Sequence, residues 1–523
     1  MAKKRRSLQP DEPLYHADHP RPVTRRDFLR QGFITGTGLV ATGGVFSLFA
    51  NPRAAYAALS GDIQNLAADS GCPIQNFTGG SIPFICFDLA GGANFAGSNV
   101  LIGQQGGQKD FLSTAGYSKL GLPGDMIPGL SSANFTLLNP STNNDFINED
   151  LGLAFHADSA MLAGILEKAT TAPAGVNGAV IPARSANDTA NNPHNPMYGI
   201  ARAGALGEVT TLIGSRSSDS GGNSLAPAMM IDPTIRPTKV DRPSDVTGMV
   251  DTGNLTGILN DPQDVVAVME SMARLSHKKV SLNTVTSDAV VQDLMRCGYI
   301  NAADIADRFA GKDVNPDDRN SDGIIVGDIF SAQEFDSDGE FRKTASVMKM
   351  VIDGYAGAGC ITMGGYDYHT GDRQAGERRD LRAGRCIGAC LEYAARKGTP
   401  LMIYVFSDGS VFSNGAMDNS VDGRGKGVWT GDNSSTAASF FLLYNPNGRP
   451  TPLISEQQIG WFTADASVNT TSSPAANNVN LLVNTVILNY MVLSGDDGTE
   501  FSNRFPNHGL GNLNNLMAFG PLT

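Results

Sequence analysis

One passage in the C-terminal half of the chain constrains the fold most. Residues 359–363 and residues 401–406 are short apolar runs, which is typical of buried strands. Residues 372–397 between them carry apolar side chains at helical spacing, and Gly398 follows as a helix-ending residue. A strand, a helix and a strand at this spacing make a crossover unit, whose two strands run parallel. We therefore predict an α/β fold with a mostly parallel central sheet and helices on both faces.

Further segments fit the same class of fold. Residues 82–89 have the apolar character of a third buried strand, and residues 226–232 are also predicted to form a strand. Residues 263–275 and 286–309 have helical spacing, and residues 479–493 are predicted to form a buried helix near the C-terminus. Strands and helices therefore alternate over most of the chain.

The first 57 residues have the parts of an export signal. A polar, basic region leads to Arg25 and Arg26, an apolar Gly- and Ala-rich run covers residues 33–50, and Ala55-Tyr56-Ala57 follows. Paired arginines before such a run and an Ala-x-Ala site are typical of twin-arginine signal peptides. We predict passage through a twin-arginine translocase and a mature protein in the periplasm, at the cell surface or outside the cell. The alternative is an uncleaved anchor, but the apolar run is only about 18 residues long, so no stable membrane anchor is expected.

The part after the leader is acidic and has no visible subdivision. Nine Lys/Arg and four Asp/Glu lie in the leader, so its removal changes the formal net charge from −13 to −18. This charge argues against nucleic acid as a partner. No Pro-rich linker, repeat or low-complexity tract is present, so residues 58–523 are expected to form a single α/β domain with an acidic loop insertion over residues 313–340.

All six cysteines lie after the leader. An oxidising destination permits disulfides, but twin-arginine cargo folds in the reducing cytoplasm first, so its fold is not expected to depend on them. Proximity in the sequence favours a pair between Cys72 and Cys86. Cys386 and Cys390 lie one turn apart on a predicted helix and are expected to be packed thiols.

Three polar residues follow the two strands of the crossover unit. Asp367 and His369 stand at positions i and i+2 of a chain leaving a strand, so their side chains are expected to converge. Asp408 follows the second strand, and parallel strands end at the same edge of a sheet. If the two strands are neighbours, about 5 Å separates them. Carboxylates and an imidazole suit a divalent metal, and the competing interpretation is an Asp–His hydrogen bond without metal.

An acidic loop is a second candidate cation site. Asp318, Asn320 and Asp322 offer oxygen ligands at alternate positions before a glycine, as in the first half of a calcium loop. The closing carboxylate, Asp328, arrives one position earlier than that pattern requires. Calcium binding and a solvated acidic turn are both consistent with this spacing.

Other residues offer weaker signals. No nucleophile elbow, phosphate-binding loop or dinucleotide fingerprint is present. The glycine-rich break after the strand at residues 82–89 leads to Asn94 and Ser98, which are candidates for positions near a substrate. His156, His194 and His508 are further candidate imidazoles.

These motifs, in this order, resemble those of an uncharacterised bacterial family of twin-arginine-exported proteins in the alkaline phosphatase and sulfatase-like superfamily. The corresponding segments are residues 91–99, 155–156, 193–194, 365–369 and 406–409. The resemblance implies an alkaline phosphatase-like fold and a divalent ion (Zn, Mn, Fe or Ca) held by Asp367, His369 and Asp408. It also implies a hydrolase acting on phosphate or sulfate esters, with Asn94 or Ser98 near the substrate.

The chain departs from the family motifs at several positions. Asn94 stands where the family has Asp, Asp408 replaces Glu, and the arginine that follows that Glu is missing. Residues 423–429 occupy the place of the last motif without its Asp or His, and His508 is a candidate replacement imidazole. The alternative function is therefore a non-catalytic member of the same fold, acting as a binding, secretion or surface-assembly protein.

Overall fold

A seven-stranded sheet forms the centre of the protein. The computed structural model describes residues 59–69, 81–185, 192–250, 262–282 and 297–522, with short gaps at 299, 306–307, 310–311, 313, 320–322, 326 and 328. The strands in chain order are β1 (Phe84–Leu89), β2 (Ile147–Asn148), β3 (Phe155–His156), β4 (Val176–Pro182), β5 (Thr210–Gly214), β6 (Thr238–Lys239), β7 (Ala356–Met363), β8 (Leu401–Phe406), β9 (Val411–Asp418), β10 (Lys426–Asp432) and β11 (Ala438–Tyr444).

The central sheet is mostly parallel. Its strands lie in the order β4-β11-β8-β1-β7-β5-β6. Only β11 runs against its neighbours β4 and β8, whereas the other paired strands of this sheet run parallel. The α/β class predicted from the crossover unit is confirmed.

Helices cover the sheet. In chain order they are α1 (Gly61–Asp69), α2 (Thr114–Lys119), α3 (Ala160–Lys168), α4 (Met197–Arg202), α5 (Pro243–Val250), α6 (Pro262–Leu282), α7 (Ala332–Ser337), α8 (Gly339–Ile352), α9 (Gln374–Lys397), α10 (Val479–Leu493) and α11 (Thr499–Arg504). Alternate residues of the strands belong to two separate apolar cores, one shared with α3, α8 and α9 and the other with α4 and α10. Every residue of β1, β7 and β8 is therefore buried, as expected for a parallel sheet covered on both faces.

The predicted helices near the C-terminus are confirmed, and one predicted strand is wrong. α10 spans the predicted residues, and α9 ends where Gly398 adopts a left-handed conformation with φ 61°. Residues 226–232 contain a short 3₁₀ turn at Ala228–Met230 instead of a strand. Pro227 and Pro233 flank this turn, and a proline has no backbone N–H to donate to a sheet.

The crossover strands are parallel but are not neighbours. β1 lies between β7 and β8 and pairs in parallel with both. β7 and β8 are therefore not neighbours, and the distance between them is about 10 Å, two strand spacings, instead of about 5 Å.

The cysteine pairing predicted from sequence proximity is wrong. Cys86 is a free, buried thiol on β1, and Cys297 is disulfide-bonded. Cys386 and Cys390 are free and buried, which confirms that they are packed thiols. Cys72 lies outside the described residues.

Several predicted site residues lie outside the described part of the chain. Arg25 and Arg26 of the leader lie outside the described residues, as do Asn320, Asp322 and Asp328 of the acidic loop. The twin-arginine signal and the calcium loop therefore stay predictions. None of the helices in the described ranges combines the length and apolar character that a bilayer span requires.

Candidate metal centre

Three side chains meet at the surface beyond the end of β7. The potential ligand atoms of Asp367, His369 and Asp432 all lie within 4.8 Å of one another. The Nε2 atom of His369 is 3.1 Å from Oδ1 of Asp367, and its Nδ1 atom hydrogen-bonds Oδ1 of Asp432. The predicted convergence of Asp367 and His369 is confirmed, and Asp432 joins them.

Backbone pairing brings Asp432 to this point. The chain leaving β7 lies alongside β10, because the Gly371 amide donates to the Trp429 carbonyl and the Trp429 amide donates to the Asp372 carbonyl, at 3.0 and 3.1 Å. β10 ends at Asp432, three residues beyond Trp429. The cluster is therefore built from one loop and one hairpin strand that are held together by main-chain hydrogen bonds.

The donor set fits a divalent ion. An imidazole with carboxylates is a ligand combination used for zinc, manganese and iron. A metal-binding histidine usually donates its second ring N–H to a carboxylate, which fixes the orientation of the ring. Asp432 stands at the Nδ1 side of His369 in this way, while Asp367 and Nε2 face each other on the other side. The side chains of Asp367, His369 and Asp432 are 56%, 31% and 46% exposed, so a ligand can reach them.

Asp408 does not belong to this cluster. Its Oδ1 atom accepts a hydrogen bond of 2.8 Å from the Gly91 amide in the loop after β1. Asp408 also lies near Asp88, the buried carboxyl on β1. Burial, followed by repulsion from Asp408, raises the pKa of Asp88 to about 6. The physical reason is the strand order, since β1 separates the end of β8 from the end of β7. Asp408 therefore shares the predicted sheet edge but orders a loop in the interior.

Gly91 fills the space between Asp367 and Asp408. Its φ angle is +132°, and a Cβ atom added there would lie 2.3 Å from the Asp367 backbone nitrogen. The same residue donates its amide to Asp408. Close approach of the two loops therefore requires glycine at this position.

Asn94 and Ser98 are fully buried, which separates them from the exposed cluster. Asn94 is 0% exposed, and its Nδ2 atom donates to the Val411 carbonyl. Oδ1 of Asn94 and Oγ of Ser98 have no hydrogen-bond partner among the described residues. The two side chains lie inside the protein, so neither is presented to a substrate at the surface.

Two of the remaining candidate histidines are buried and neutral. His156 places Nε2 2.8 Å from the Met126 carbonyl and accepts from the Asp158 amide through Nδ1. His194 stacks on Phe406, and neither of its ring nitrogens has a hydrogen-bond partner in the part of the chain that the structure describes. Burial lowers the pKa of each of these histidines to about 4. The structure thus gives both residues a place in the core, away from the cluster.

His508 and Asp318 also lie apart from the cluster. The ring of His508 packs on Phe501, and its Nδ1 atom accepts from the Leu510 amide. Asp318 is the described member of the four candidate calcium ligands, and its amide donates to the Asn315 carbonyl at 3.3 Å. These contacts are those of local turns.

Sequence reasoning missed Asp432 because no motif marks it. It stands at the end of a strand that pairs with β9 through two irregularities of register, so its neighbours follow from tertiary pairing alone. The one available signal is the apolar Val428-Trp429 step, which indicates a strand passing close to the core.

Comparison with known proteins gives no relative for this arrangement. No protein-family model, no curated protein and no solved structure matches the chain.

Proposed function

We propose that this chain is an exported, metal-dependent hydrolase-like protein that acts on phosphate or sulfate esters. It would have an alkaline phosphatase-like variant of the α/β fold. The single observation that carries the proposal is the surface cluster of Asp367, His369 and Asp432 at the carboxyl end of β7. Ligand sites of open α/β sheets gather at this edge.

The residues have separate roles in this proposal. Asp367 and Nε2 of His369 bind a divalent ion, and Asp432 holds the imidazole through Nδ1. A divalent ion bound there polarises an ester oxygen and lowers the pKa of a water molecule. The exposure of the cluster leaves room for water and for substrate, because two protein groups do not fill the coordination sphere of such an ion.

The position of Arg379 favours an anionic substrate. Its guanidinium packs against Gly365, two residues before Asp367, at a distance of 3.3 Å from a Cβ atom added there. Within the described ranges this guanidinium forms no ion pair. A half-buried, uncommitted arginine next to a metal centre suits the recognition of a phosphate or sulfate group.

Export places this chemistry outside the cytoplasm. Arg25 and Arg26 in the leader direct the folded chain to the twin-arginine translocase in this proposal. The mature protein then works in the periplasm, at the cell surface or outside the cell.

A turnover assay on the purified exported protein tests the proposal. The substrates are 4-nitrophenyl phosphate, bis(4-nitrophenyl) phosphate and 4-nitrophenyl sulfate, each with added zinc, manganese, iron or calcium. We expect metal-dependent release of nitrophenol that falls by about 100-fold or more in His369→Ala and Asp367→Asn, because metal ligands are needed for the chemistry. His508→Ala is the matched control and should retain activity.

Two outcomes of this assay distinguish a wrong metal centre from a centre that binds metal without catalysis. Turnover that is equal with and without metal, or equal in wild type and His369→Ala, contradicts the assignment of the centre. Metal binding without turnover of any ester favours a second function, a non-catalytic binding, secretion or surface-assembly role. The burial of Asn94 and Ser98 favours that second function, since neither side chain can contact a substrate at the surface.

A further inference from the structure

An apolar cavity lies apart from the metal centre, between the segment after α2 and the β9–β10 hairpin. Its volume is about 310 Å³, which is at the lower end of the range for small-molecule sites. Met126, Phe135, Leu137, Met417 and Val421 supply most of the wall. Phe135, Met417 and Val421 are exposed large apolar side chains, so the opening itself is apolar.

Arg424 is the one cationic side chain among the described residues of the cavity wall, next to the polar residues Asp125 and Thr136. Arg424 holds its guanidinium against Asp158 through two bonds, Nε to Oδ2 at 2.9 Å and Nη2 to Oδ1 at 2.6 Å. Nη2 also donates to the Thr136 carbonyl at 2.6 Å. These contacts fix the plane of the guanidinium, and Nη1 makes no hydrogen bond to any described residue. Asp125 also lines the cavity but is exposed to solvent, which screens its charge.

A buried charge network continues below this arginine. Lys426 is fully buried and lies 2.7 Å from Glu377 and 3.4 Å from Asp158. Glu377 in turn accepts a bond of 2.7 Å from Arg373. The network thus joins three cations to two carboxylates through close contacts.

The network has an excess of positive charge. Asp380 is the third carboxyl close to it, and its Oδ2 atom accepts from Asn99 at 2.9 Å. Burial, followed by repulsion from Glu377, raises the pKa of Asp380 to about 7, so this carboxyl is only partly charged at neutral pH. Three cations then face two full carboxylates and part of a third.

We infer that this cavity binds a small amphiphilic anion, with the acidic group on Nη1 of Arg424 and the apolar part between Phe135, Met417 and Val421. Mostly apolar walls with a few fixed polar groups are the usual composition of such a site. The arrangement needs nothing from Asp367, His369 or Asp432, so it stands independently of the proposed function.

A pair of fluorescent probes tests this site. 8-Anilinonaphthalene-1-sulfonate is an apolar ring system with an anionic group, and N-phenyl-1-naphthylamine is its uncharged counterpart. We expect the sulfonate to bind the purified exported protein at one site. The neutral probe should bind at least about fivefold more weakly. Equal affinities for the two probes would overturn the role of Arg424.

Substitutions at the rim locate the probe. Val421 is 91% exposed, so Val421→Asp adds a negative charge at the opening without disturbing the core. We expect this change to weaken sulfonate binding by about tenfold, whereas Val421→Asn weakens it by less than about threefold. Met229→Asp is the matched control, since Met229 is 80% exposed and does not line the cavity. The inference is wrong if Val421→Asp and Met229→Asp bind the sulfonate equally well.

Discussion

The Nε2 atom of His369 lies 3.1 Å from Oδ1 of Asp367, two positions earlier in the chain. This spacing follows from the extended course of the chain after β7, which turns alternate side chains the same way. Asp432 then fixes the other ring nitrogen from a separate strand. The local pair and the distant carboxylate together give the arrangement in which a metal-binding histidine is usually found.

Asp408 is expected to support the fold and not the metal centre. Asp408→Ala removes the acceptor of the part-buried Gly91 amide, and leaving this donor unsatisfied costs at most about 1–3 kcal/mol. Urea unfolding should show a loss of stability of this size, while metal content stays at the wild-type level. Asp432→Ala is the comparison, and it should lower metal affinity by about 10–100-fold. If Asp408→Ala loses the metal while its stability is unchanged, Asp408 is a metal ligand.

Gly91 is expected to tolerate no side chain. In Gly91→Ala the added Cβ atom meets the Asp367 backbone, and the positive φ angle adds a cost of about 1–3 kcal/mol. Thermal unfolding should shift to lower temperature, and metal binding should weaken because Asp367 must move. Gly364→Ala is the control, since an added Cβ atom there has nothing within 4 Å. Equal melting temperatures for the two variants would show that the two loops do not pack as described.

Lys426 is expected to be the most costly residue to remove from the buried charge network. Lys426→Met removes one of the two cations that pair with Glu377 in the interior, the other being Arg373 at 2.7 Å, and the hydrogen bond that is lost costs about 1–3 kcal/mol. Lys109→Met is the matched control, because Lys109 pairs with Glu149 at the surface, where an ion pair contributes about 0–1 kcal/mol. Guanidinium unfolding measures both. A cost below about 1 kcal/mol for Lys426→Met would mean that the network is hydrated.

His194 is expected to make stability depend on pH. Burial lowers the pKa of His194 to about 4 from 6.5, so the unfolded chain binds a proton more readily than the folded protein. The stabilising effect is therefore complete above pH 6.5 and is lost as the pH falls toward 4. Full loss amounts to about 3 kcal/mol.

The variant His194→Phe isolates this effect, because a phenyl ring can stack on Phe406 and cannot take up a proton. Urea unfolding at pH 7.5 and pH 4.5 gives the change in stability for each protein. We expect a smaller loss in the variant than in wild type. Equal losses in the two proteins would mean that His194 is not the source.

Local pattern was enough to predict β1, β7 and β8 and the helices α9 and α10, but not the order of the strands in the sheet. The apolar runs at β1, β7 and β8 and the helical spacing of α9 and α10 are properties of neighbouring residues, which the sequence displays directly. The position of β1 between β7 and β8 pairs Phe84 with Ala358 on one side and with Met402 on the other, so the paired segments are far apart in the chain. No local signal encodes that choice.

The same limit applies to the site. Asp367 and His369 are close in sequence, so backbone periodicity alone brings them together. Asp432 reaches His369 only through the pairing of the loop after β7 with β10, and Asp408 is withdrawn because a strand intervenes. The burial of Asn94 and Ser98 likewise depends on how the loop after β1 folds over the core.

Metal content is the most direct test of the centre formed by Asp367, His369 and Asp432. Mass spectrometry of the purified exported protein after dialysis against zinc or manganese gives the number of bound ions per chain. The account predicts about one equivalent in wild type, its loss in His369→Ala, and its retention in Asp408→Asn and His508→Ala. An ion-free wild type, or the same content in wild type and His369→Ala, would contradict it.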